Sequence, residues 1–273
     1  MVRVTVLGAS GRMGKALIRL IAASNEHELV GALGEPGDPL RGRDAGQVAG
    51  VDSLGVSVTD DLLVALAGAG TACEVAIDFT VPAATEAHAR ACAAGGHALV
   101  VGTTGLGASG HSALQAAARR VPVLYARNMS LGVTVLTELV HQAAALLGPE
   151  FDAEISESHH RHKKDSPSGT ALQLGEAIAS ARKRQLADVA VYSRPRLSAT
   201  ERPEGAIGFV SMRGGAIVGD HTVLLAGTEE LLELTHRATD RALFARGALR
   251  AASWLVSQPP GLHTLREVLG LPA

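Results

Sequence analysis

The first half of the chain alternates short apolar runs with helical segments, and this alternation limits the possible fold more than any other feature. A β-branched run, Val2–Leu7, is followed by a helical stretch that ends near Ala23, and further strand–helix pairs follow. Strands that alternate with helices form βαβ units, which build a parallel, doubly wound sheet with helices on both faces. The predicted elements are strands at Val2–Leu7, Leu29–Leu33, Glu74–Phe79, His97–Val101 and Val121–Tyr125, and helices at Pro82–Ala94 and from about Ser109.

The pattern changes after Asn128. The sequence predicts a long helix, Ser130–Leu147, then a strand, Phe151–Ser158, and a helix, Ser168–Arg184. Three strand-like runs follow in meander order, at Ile207–Met212, Ile217–Leu225 and Leu231–His236. Strands in direct succession pair in a mixed or antiparallel sheet, so we expect a second domain of the α+β class.

These two patterns set the expected domain boundaries. Residues 1–129 and 241–273 are assigned to the parallel α/β domain, and residues 130–240 to the α+β domain. The carboxyl-terminal segments Arg241–Val256 and Leu262–Leu269 are predicted to be amphipathic helices. A hinge is expected where the chain passes between the domains, near residues 128–130 and 240.

Composition and charge exclude several classes of protein. Apolar residues make up 47% and charged residues 19% of the chain, which is ordinary for a globular protein and excludes a disordered one. With a formal charge of −2, the chain has no overall positive electrostatic field that would attract nucleic acid or an anionic membrane. No segment approaches the length of a membrane span. Cys73 and Cys92 lie far apart without C-x-x-C spacing, so we expect neither a disulfide framework nor a zinc site, and a cytoplasmic location.

Three glycines follow the first predicted strand directly. Gly8, Gly11 and Gly14 form G-x-x-G-x-x-G at the start of a helix, where glycines allow a tight turn and close approach of the backbone to a pyrophosphate. An acidic residue past the second strand, Glu35, would accept hydrogen bonds from the adenine ribose. The alternative is an ordinary turn with a solvated Glu35. No G-K-[ST] follows, so the motif favours a Rossmann-type dinucleotide site over a P-loop.

A second glycine-containing segment, Gly102-Thr103-Thr104-Gly105, follows the fourth predicted strand. Ligands of doubly wound sheets bind at the carboxyl ends of the strands. Two threonines between glycines beside the expected nicotinamide position favour a functional role over a plain turn.

The segment from Glu157 to Thr170, E-S-H-H-R-H-K-K-D-S-P-S-G-T, carries the richest chemistry of the chain. Six of its residues are cationic or can become so: His159, His160, Arg161, His162, Lys163 and Lys164. The segment leads into a predicted helix start at Ser168, and unpaired N–H groups at a helix start bind anions. Cations, proton donors and a helix start together favour a catalytic site for a small polyanion, for instance a dicarboxylate.

Two other interpretations of this segment remain. Charge runs are usually solvated loops, although the helix start directly after the run argues against that interpretation. A metal site is disfavoured because His159 and His160, as neighbours on a strand, point to opposite faces. The flanking Arg161 and Lys163 would also repel a cation, so no metal is predicted.

Several motifs, taken in order along the chain, resemble the 4-hydroxy-tetrahydrodipicolinate reductase (dihydrodipicolinate reductase) family. They are the histidine-rich segment with S-P-S-G-T-A, and G-A-S-G-R-M-G, I-D-F-T-V-P, V-V-G-T-T-G, N-M-S-L-G-V, I-G-F-V-S-M-R-G-G-A-I-V-G-D-H-T-V and H-R-A-T-D-R-A-L-F-A-R-G-A. The resemblance implies an oxidoreductase that reduces a cyclic imine dicarboxylate with NADH or NADPH in lysine and diaminopimelate biosynthesis. It also implies a homotetramer in which the sheets of the second domains pack together.

The resemblance further implies roles for individual residues. His159 matches the acid/base residue and Lys163 the proton donor. The residues that match substrate-carboxylate contacts are His160, Ser168, Gly169 and Thr170. Arg241 is a weaker candidate for such a contact, and the alternative is an ordinary arginine on the surface of a helix. The matches to cofactor contacts are Gly8, Ala9, Ser10, Gly11, Arg12, Met13, Gly14, Glu35, Gly102, Thr103, Thr104, Ala126, Arg127, Asn128 and Met129.

The chain departs from the family after the second strand, where many members have an acid and then an arginine that neutralises the 2′-phosphate of NADPH. Here the sequence is L-G-E-P-G. Gly34 occupies the position of the family's acidic residue, Glu35 follows one position later, and Pro36 comes next, which has no guanidinium to bind a phosphate. This departure favours NADH. The arginines that could still bind the phosphate are Arg12, Arg41 and Arg43.

Two rival functions are weighed against the reductase. A semialdehyde dehydrogenase needs a catalytic cysteine at a strand end, whereas Cys73 and Cys92 fall in or before helical stretches. A non-catalytic dinucleotide sensor has no use for a proton donor such as Lys163 beside a dicarboxylate site.

Overall fold

The computed structural model describes residues 1–193 and 201–271. The chain forms two compact units: the first is Met1–Met129 with Ala242–Ala273, and the second is Ser130–Arg241. Among the described residues, no helix has the length and apolar character needed to cross a membrane. The functional roles of the two units stay predictions.

The strands and helices are numbered in chain order. The strands are β1 (Val2–Leu7), β2 (His27–Leu33), β3 (Val58–Thr59), β4 (Val75–Asp78), β5 (Ala98–Val101), β6 (Pro122–Tyr125), β7 (Asp152–His159), β8 (Ala190–Val191), β9 (Ile207–Arg213), β10 (Gly219–Ala226), β11 (Leu231–Ala238) and β12 (Gly261–His263). The helices are α1 (Arg12–Ala22), α2 (Ala45–Ala49), α3 (Leu62–Ala67), α4 (Pro82–Gly95), α5 (Ala108–Ala118), α6 (Leu131–Leu147), α7 (Gly169–Ala181), α8 (Leu186–Val189), α9 (Ala242–Leu255) and α10 (Leu265–Val268).

The first unit is built on a parallel sheet in the order β12-β6-β5-β4-β1-β2-β3. Its central strands β4 and β5 are buried along their whole length, as expected when helices cover both faces and each strand is a continuous apolar run. The predicted Rossmann-type doubly wound domain is therefore confirmed.

The prediction for the end of the chain was wrong. Leu262–Leu269 does not form one helix, because Gly261–His263 pairs in parallel with β6 as the edge strand β12. Only Leu265–Val268 is helical, and it starts at a capping box in which Thr264 and Glu267 bond each other's backbone N–H groups. Backbone pairing with a neighbouring strand outweighs the local helical pattern here, which periodicity alone does not reveal.

The second unit is a five-stranded sheet in the order β11-β10-β7-β9-β8. The central strand β7 is antiparallel to β10 and parallel to β9, so the predicted mixed sheet is confirmed. The side chains of α6 and α7 pack with one face of this sheet in a single core that includes Val140, Leu174, Ile178, Ile155 and Val223.

The predicted meander of the last three strands was wrong in one part. β10 and β11 form an antiparallel pair as expected, but β9 pairs with β7 and not with β10. The chain returns from β7 to β9 through α7 and α8, which is the long crossover that parallel pairing requires. The predicted strand Ile217–Leu225 also begins later, at Gly219.

Candidate active site

Five residues of the second unit meet at the end of its sheet, and we call them the histidine cluster: Glu157, His159, Ser168, Arg213 and His221. Residues two apart on a strand point to the same face, so Glu157 and His159 share the face of β7 that carries the buried Ile155. The neighbouring strands place His221 of β10 opposite Glu157 and Arg213 of β9 opposite His159. Strand register thus brings three distant segments together.

Glu157 is the centre of the histidine cluster and is only 1% exposed. Its Oε2 accepts from His159 Nδ1 at 2.5 Å and from Arg213 Nη1 at 2.8 Å. Its Oε1 accepts from Arg213 Nη2 at 2.7 Å and from the N–H of Ser168 at 3.1 Å. Burial alone would raise the pKa of Glu157, but the hydrogen bonds from Arg213 and His159 lower it to about 2. The carboxylate is therefore ionised at neutral pH.

His159 is 8% exposed, and its ring packs edge-on against His221 with 5.1 Å between ring centroids. Burial lowers the pKa of His159, Glu157 raises it, and the charges of Lys163 and Arg213 lower it further, so that it lies below its usual range. Burial is the largest cause of this lowered pKa. Nε2 faces Gly219, where an added Cβ would lie 2.9 Å from it.

Lys163 lies in the loop after β7, and its Nζ donates to both carboxylate oxygens of Asp165 at 2.8–2.9 Å. Burial would raise the pKa of Asp165, but the hydrogen bond from Lys163 lowers it below its usual range. Arg213 also donates to the carbonyl of Asp165 at 2.7 Å. The loop that carries Lys163 is thus tied to the histidine cluster.

Ser168 is the N-cap of α7, as predicted. Its Oγ accepts from the N–H of Ala171 and lies 3.1 Å from Nε2 of His221. Burial lowers the pKa of His221 to about 4, so this ring is neutral at neutral pH. A Cβ added at Gly169 would meet no atom within 4 Å. Open space therefore lies beside Gly169 at the start of α7, and the start of a helix suits a carboxylate.

The structure places the other predicted substrate residues around this loop. His160 is partly buried, and its ring lies 6.3 Å from that of His162. The pKa of His160 is lowered by loss of solvent and then by the charge of Arg241, which is itself exposed. Within the described ranges, no group of three His, Cys, Asp or Glu is arranged to hold a metal ion.

Three members of the histidine cluster were given no role from the sequence: Glu157, Arg213 and His221. Glu157 and His159 are two residues apart at the end of the predicted strand Phe151–Ser158, and this i, i+2 spacing was a signal that would have found Glu157. Arg213 and His221 gave no such signal, because their positions depend on which strands flank β7.

The glycine-rich loop of the first unit has the backbone that a dinucleotide site needs. Gly8 has a φ of +83°, which L side chains rarely adopt, and an added Cβ would lie 2.9 Å from Thr80. A Cβ at Gly14 would overlap the carbonyl oxygen of Gly8. α1 starts at Arg12 after Gly11, without a side-chain cap. The loop therefore leaves room for a pyrophosphate at the start of α1.

A cavity of about 790 Å³ adjoins this loop. Its lining includes Gly8, Ser10, Gly11, Glu35, Asp38 and Phe79. A volume of this size is typical of small-molecule sites. The residues of the first unit thus fit a nicotinamide dinucleotide.

Asp38 is an acidic residue of this cavity that the sequence did not single out. It is 5% exposed, whereas Glu35 is exposed. Its Oδ2 accepts from the hydroxyl of Ser10, and its Oδ1 accepts from the N–H of Leu40 at 2.8 Å. A Cβ added at Gly34 would lie 2.5 Å from Oδ2 of Asp38. The carboxylate of Asp38 thus occupies the space beside Gly34.

The threonine segment lies against a buried carboxylate. Asp78, at the end of β4, is 0% exposed and accepts from Thr103 Oγ1 at 3.1 Å, Thr80 Oγ1 at 2.6 Å and His88 Nδ1 at 2.9 Å. Thr103 is buried by this contact, whereas Thr104 is exposed. A Cβ at Gly102 would overlap the ring of Phe79.

The segment after β6 is the last predicted part of the cofactor site. The N–H of Ala126 donates to the carbonyl of Val101 at 3.1 Å. Arg127 is exposed, Asn128 is partly buried and the side chain of Met129 is 1% exposed. Met129 therefore contributes to the core.

Comparison with known proteins identifies the family. The family model described as dihydrodipicolinate reductase, N-terminus, matches residues 2–129, and the model for the C-terminus of the same family matches residues 132–269. The chain belongs to the dihydrodipicolinate reductase family. It is 50% identical over 271 residues to the 4-hydroxy-tetrahydrodipicolinate reductase of Anaeromyxobacter dehalogenans, with 99% of this chain and 98% of that one covered.

Two further comparisons agree. The 4-hydroxy-tetrahydrodipicolinate reductase of Thiobacillus denitrificans is 51% identical over 270 residues, with 99% of each chain covered. The solved structure of dipicolinate-bound dihydrodipicolinate reductase from Paenisporosarcina sp. TG-14 matches with a TM-score of 0.77 and 25% identity over 98% of each chain. The predicted family, fold and enzyme class, an oxidoreductase that uses NADH or NADPH, are confirmed, and the non-catalytic sensor is not favoured.

Proposed function

We propose that this chain reduces (4-hydroxy-)tetrahydrodipicolinate, a cyclic imine dicarboxylate, with NADH or NADPH in diaminopimelate and lysine biosynthesis. The observation that carries the proposal is the histidine cluster: a buried His159 held by Glu157, beside the start of α7 and the loop of Lys163. Relatives at about half identity carry the corresponding reductase name, and the solved Paenisporosarcina relative is described as bound to dipicolinate.

The residues of the second unit suit such a substrate. The N–H groups of the first turn of α7, with Ser168, Gly169 and Thr170, bind one carboxylate, since a helix start favours anions. Arg241 adds positive charge for the carboxylates, and His160, whose pKa is lowered, can donate a hydrogen bond to them as a neutral ring. The reduced ring gains one hydride and one proton, and Lys163 donates the proton. These cations also stabilise negative charge that develops on the ring.

The residues of the first unit hold the dinucleotide. When bound, the nicotinamide supplies the hydride. The open turn from Gly8 to Gly14 and the start of α1 accommodate the pyrophosphate. The segments Gly102–Thr104 and Ala126–Met129 contact the remainder of the cofactor, Thr103 and Met129 through their backbone because their side chains are buried.

The cofactor preference proposed here is for NADH. Asp38 holds a buried carboxylate beside Gly34 and within contact of Ser10, and a carboxylate repels the 2′-phosphate of NADPH. Arg41 already pairs with Asp60 at 3.1 Å, which reduces its availability for a phosphate. Calorimetric titration is expected to give an NADH dissociation constant at least about tenfold below that of NADPH. A lower constant for NADPH would overturn the preference.

The reductase activity is tested with substrate generated in place by dihydrodipicolinate synthase from pyruvate and aspartate semialdehyde. Oxidation of the cofactor should depend on the synthase. The Lys163→Ala variant should lose this activity and keep its affinity for NADH, because Lys163 belongs to the second unit. If the folded wild-type protein binds both cofactors but oxidises neither, the proposal fails and the sensor function takes its place.

A homotetramer and a cytoplasmic location complete the proposal. The sheet of the second unit exposes Val210, Met212 and Leu231 at 53%, 53% and 68%, and apolar side chains on a sheet face favour association with another copy. The thiols of Cys73 and Cys92 are free and buried, which suits a reducing compartment. Light scattering should give four times the mass of the chain, and a monomer would contradict the tetramer.

A further inference from the structure

Glu157 has a bonding pattern that the proposed reaction leaves unexplained. It is almost fully buried, and the two donors of Arg213, Nδ1 of His159 and the N–H of Ser168 converge on its two oxygens. A paired arginine–carboxylate contact of this kind compensates the charge and fixes the geometry of both groups. The carboxylate therefore holds partners from β9, from β7 and from the start of α7.

We propose that Glu157, held by Arg213, is a positioning residue that fixes the ring proton of His159 on Nδ1 and so leaves Nε2 of the neutral ring unprotonated. The role assigned to His159 in catalysis rests on the proposed function, whereas the position of its proton does not. An ionised carboxylate can only accept hydrogen bonds. The proton between Oε2 of Glu157 and Nδ1 of His159 therefore belongs to the histidine, and a neutral ring then has no proton on Nε2.

The charges that face His159 explain why the ring stays neutral. Glu157 alone would favour an imidazolium, but Arg213 already compensates its charge through two hydrogen bonds. Lys163 adds positive charge from the loop, although Asp165 is paired with it. His221 of β10 is neutral and packs on the ring. Burial of the ring adds to these effects, since desolvation disfavours the charged form.

This state divides the chemistry between two residues. In the resting protein His159 offers Nε2 as an acceptor of a hydrogen bond and does not supply a proton. The proton taken up by the substrate therefore comes from Lys163. Nε2 lies close to Gly219, where any side chain would collide with the ring.

A purely structural role for Glu157 gives a different expectation. Its bonds to Arg213 and Ser168 tie β9 and the start of α7 to β7, and their loss would lower stability. In that case the tautomer of His159 would not depend on Glu157. The position of the ring proton therefore separates the two roles.

The test is nitrogen NMR of protein labelled with ¹⁵N-histidine, with the His159 signals assigned from the spectrum of the His159→Gln variant. The ¹⁵N shifts distinguish a protonated from an unprotonated ring nitrogen. At pH 7.5 the wild-type ring should carry its proton on Nδ1. A proton on Nε2, or a charged ring, would overturn the proposal without any measurement of activity.

The Glu157→Gln variant should move this proton. If the amide N–H₂ of the glutamine took the Oε1 position, it would face two donors, Ser168 N–H and Arg213 Nη2. At the Oε2 position it would face one donor, Arg213 Nη1, and a histidine nitrogen that can become an acceptor. The amide should therefore point toward His159, and the ring should shift to the Nε2–H tautomer. The proposal fails if His159 keeps its wild-type tautomer in this variant.

Two further variants complete the test. Glu150→Gln removes an exposed carboxylate just before β7 and should leave the His159 signals unchanged. Arg213→Gln leaves Glu157 uncompensated and should raise the pKa of His159, a result that remains informative if Glu157→Gln does not fold. An unchanged or lowered pKa there would contradict the role of Arg213.

Kinetics in the coupled assay link the proton to the reaction. Glu157→Gln should lower kcat by about 100-fold, the usual scale for an acid–base group, with KM changed much less. A variant with wild-type kcat and a raised KM would contradict the positioning role. If the wild-type protein shows no reductase activity while the NMR results are as expected, the proposed function fails and the assignment of the His159 proton stands.

Discussion

Replacing Glu157 with glutamine should change how the stability of the second unit depends on pH. The pKa of Glu157 falls from its ordinary 4.5 to about 2 in the folded chain. A pKa lower by about 2.5 corresponds to about 3 kcal/mol, because one pKa unit is worth about 1.4 kcal/mol. This contribution to the free energy of unfolding belongs to the ionised group, and glutamine cannot supply it at any pH.

The sign follows from the direction of the pKa change. A lowered folded-state pKa stabilises the fold above the unfolded pKa of 4.5, and the contribution is lost as the pH falls from there toward 2. At pH 7 the full contribution of about 3 kcal/mol is present, and at pH 3 about 1.4 kcal/mol remains. The difference in unfolding free energy between wild type and Glu157→Gln should therefore narrow by about 2 kcal/mol between these pH values.

Urea denaturation followed by circular dichroism at pH 7 and pH 3 measures this difference. The variant also leaves Arg213 without its charged partner, but this ion pair is the interaction that lowers the pKa of Glu157, so its loss is already included in the contribution of about 3 kcal/mol. Glu150→Gln, which removes an exposed carboxylate from the turn before β7, should show no such narrowing. A wild-type to Glu157→Gln difference that is the same at both pH values would refute the assignment of a low pKa to Glu157.

Three other substitutions test the remaining contacts. Asp38→Asn should weaken NADH binding and lower its preference over NADPH by about tenfold, about 1.4 kcal/mol, and an unchanged ratio of dissociation constants would contradict a role in cofactor choice. Gly219→Ala places a Cβ 2.9 Å from Nε2 of His159, so kcat should fall in a folded protein, and wild-type kinetics would show that the ring does not need this space. Ser168→Ala removes the N-cap of α7 and should cost about 1 kcal/mol of stability by urea denaturation, together with a higher KM; a variant with wild-type stability and KM would contradict both roles.

The parts of the fold that the sequence predicted are those with a strong local signal. β4 and β5 are continuous apolar runs because both faces are covered, and Ser168 marks the start of α7 as an N-cap should. The short strand β3 and the edge strand β12 depend on pairing with distant residues. The position of β9 beside β7 depends likewise on a crossover, so a local pattern predicted a meander instead.

The same distinction applies to the candidate site. His159 and Ser168 lie in one contiguous motif, and the sequence placed them together. Arg213 and His221 reach the cluster only because β9 and β10 flank β7. Asp38 reaches the space beside Gly34 because the loop after β2 folds back on itself, which no spacing rule indicates. Side chains brought together by register and loop conformation are therefore the ones that sequence analysis missed.

The charges of the second unit form two layers with different chemistry. In the buried layer the charge of Glu157 is matched by Arg213, and His159 and His221 are neutral, so this layer carries no net charge. The second layer holds the partly buried Lys163, which is paired with Asp165, and the positive end of α7, which suits a carboxylate. A buried carboxylate beneath an anion site would otherwise repel the substrate. Because Arg213 compensates it, Glu157 can fix His159 without weakening the positive field at the proposed substrate site.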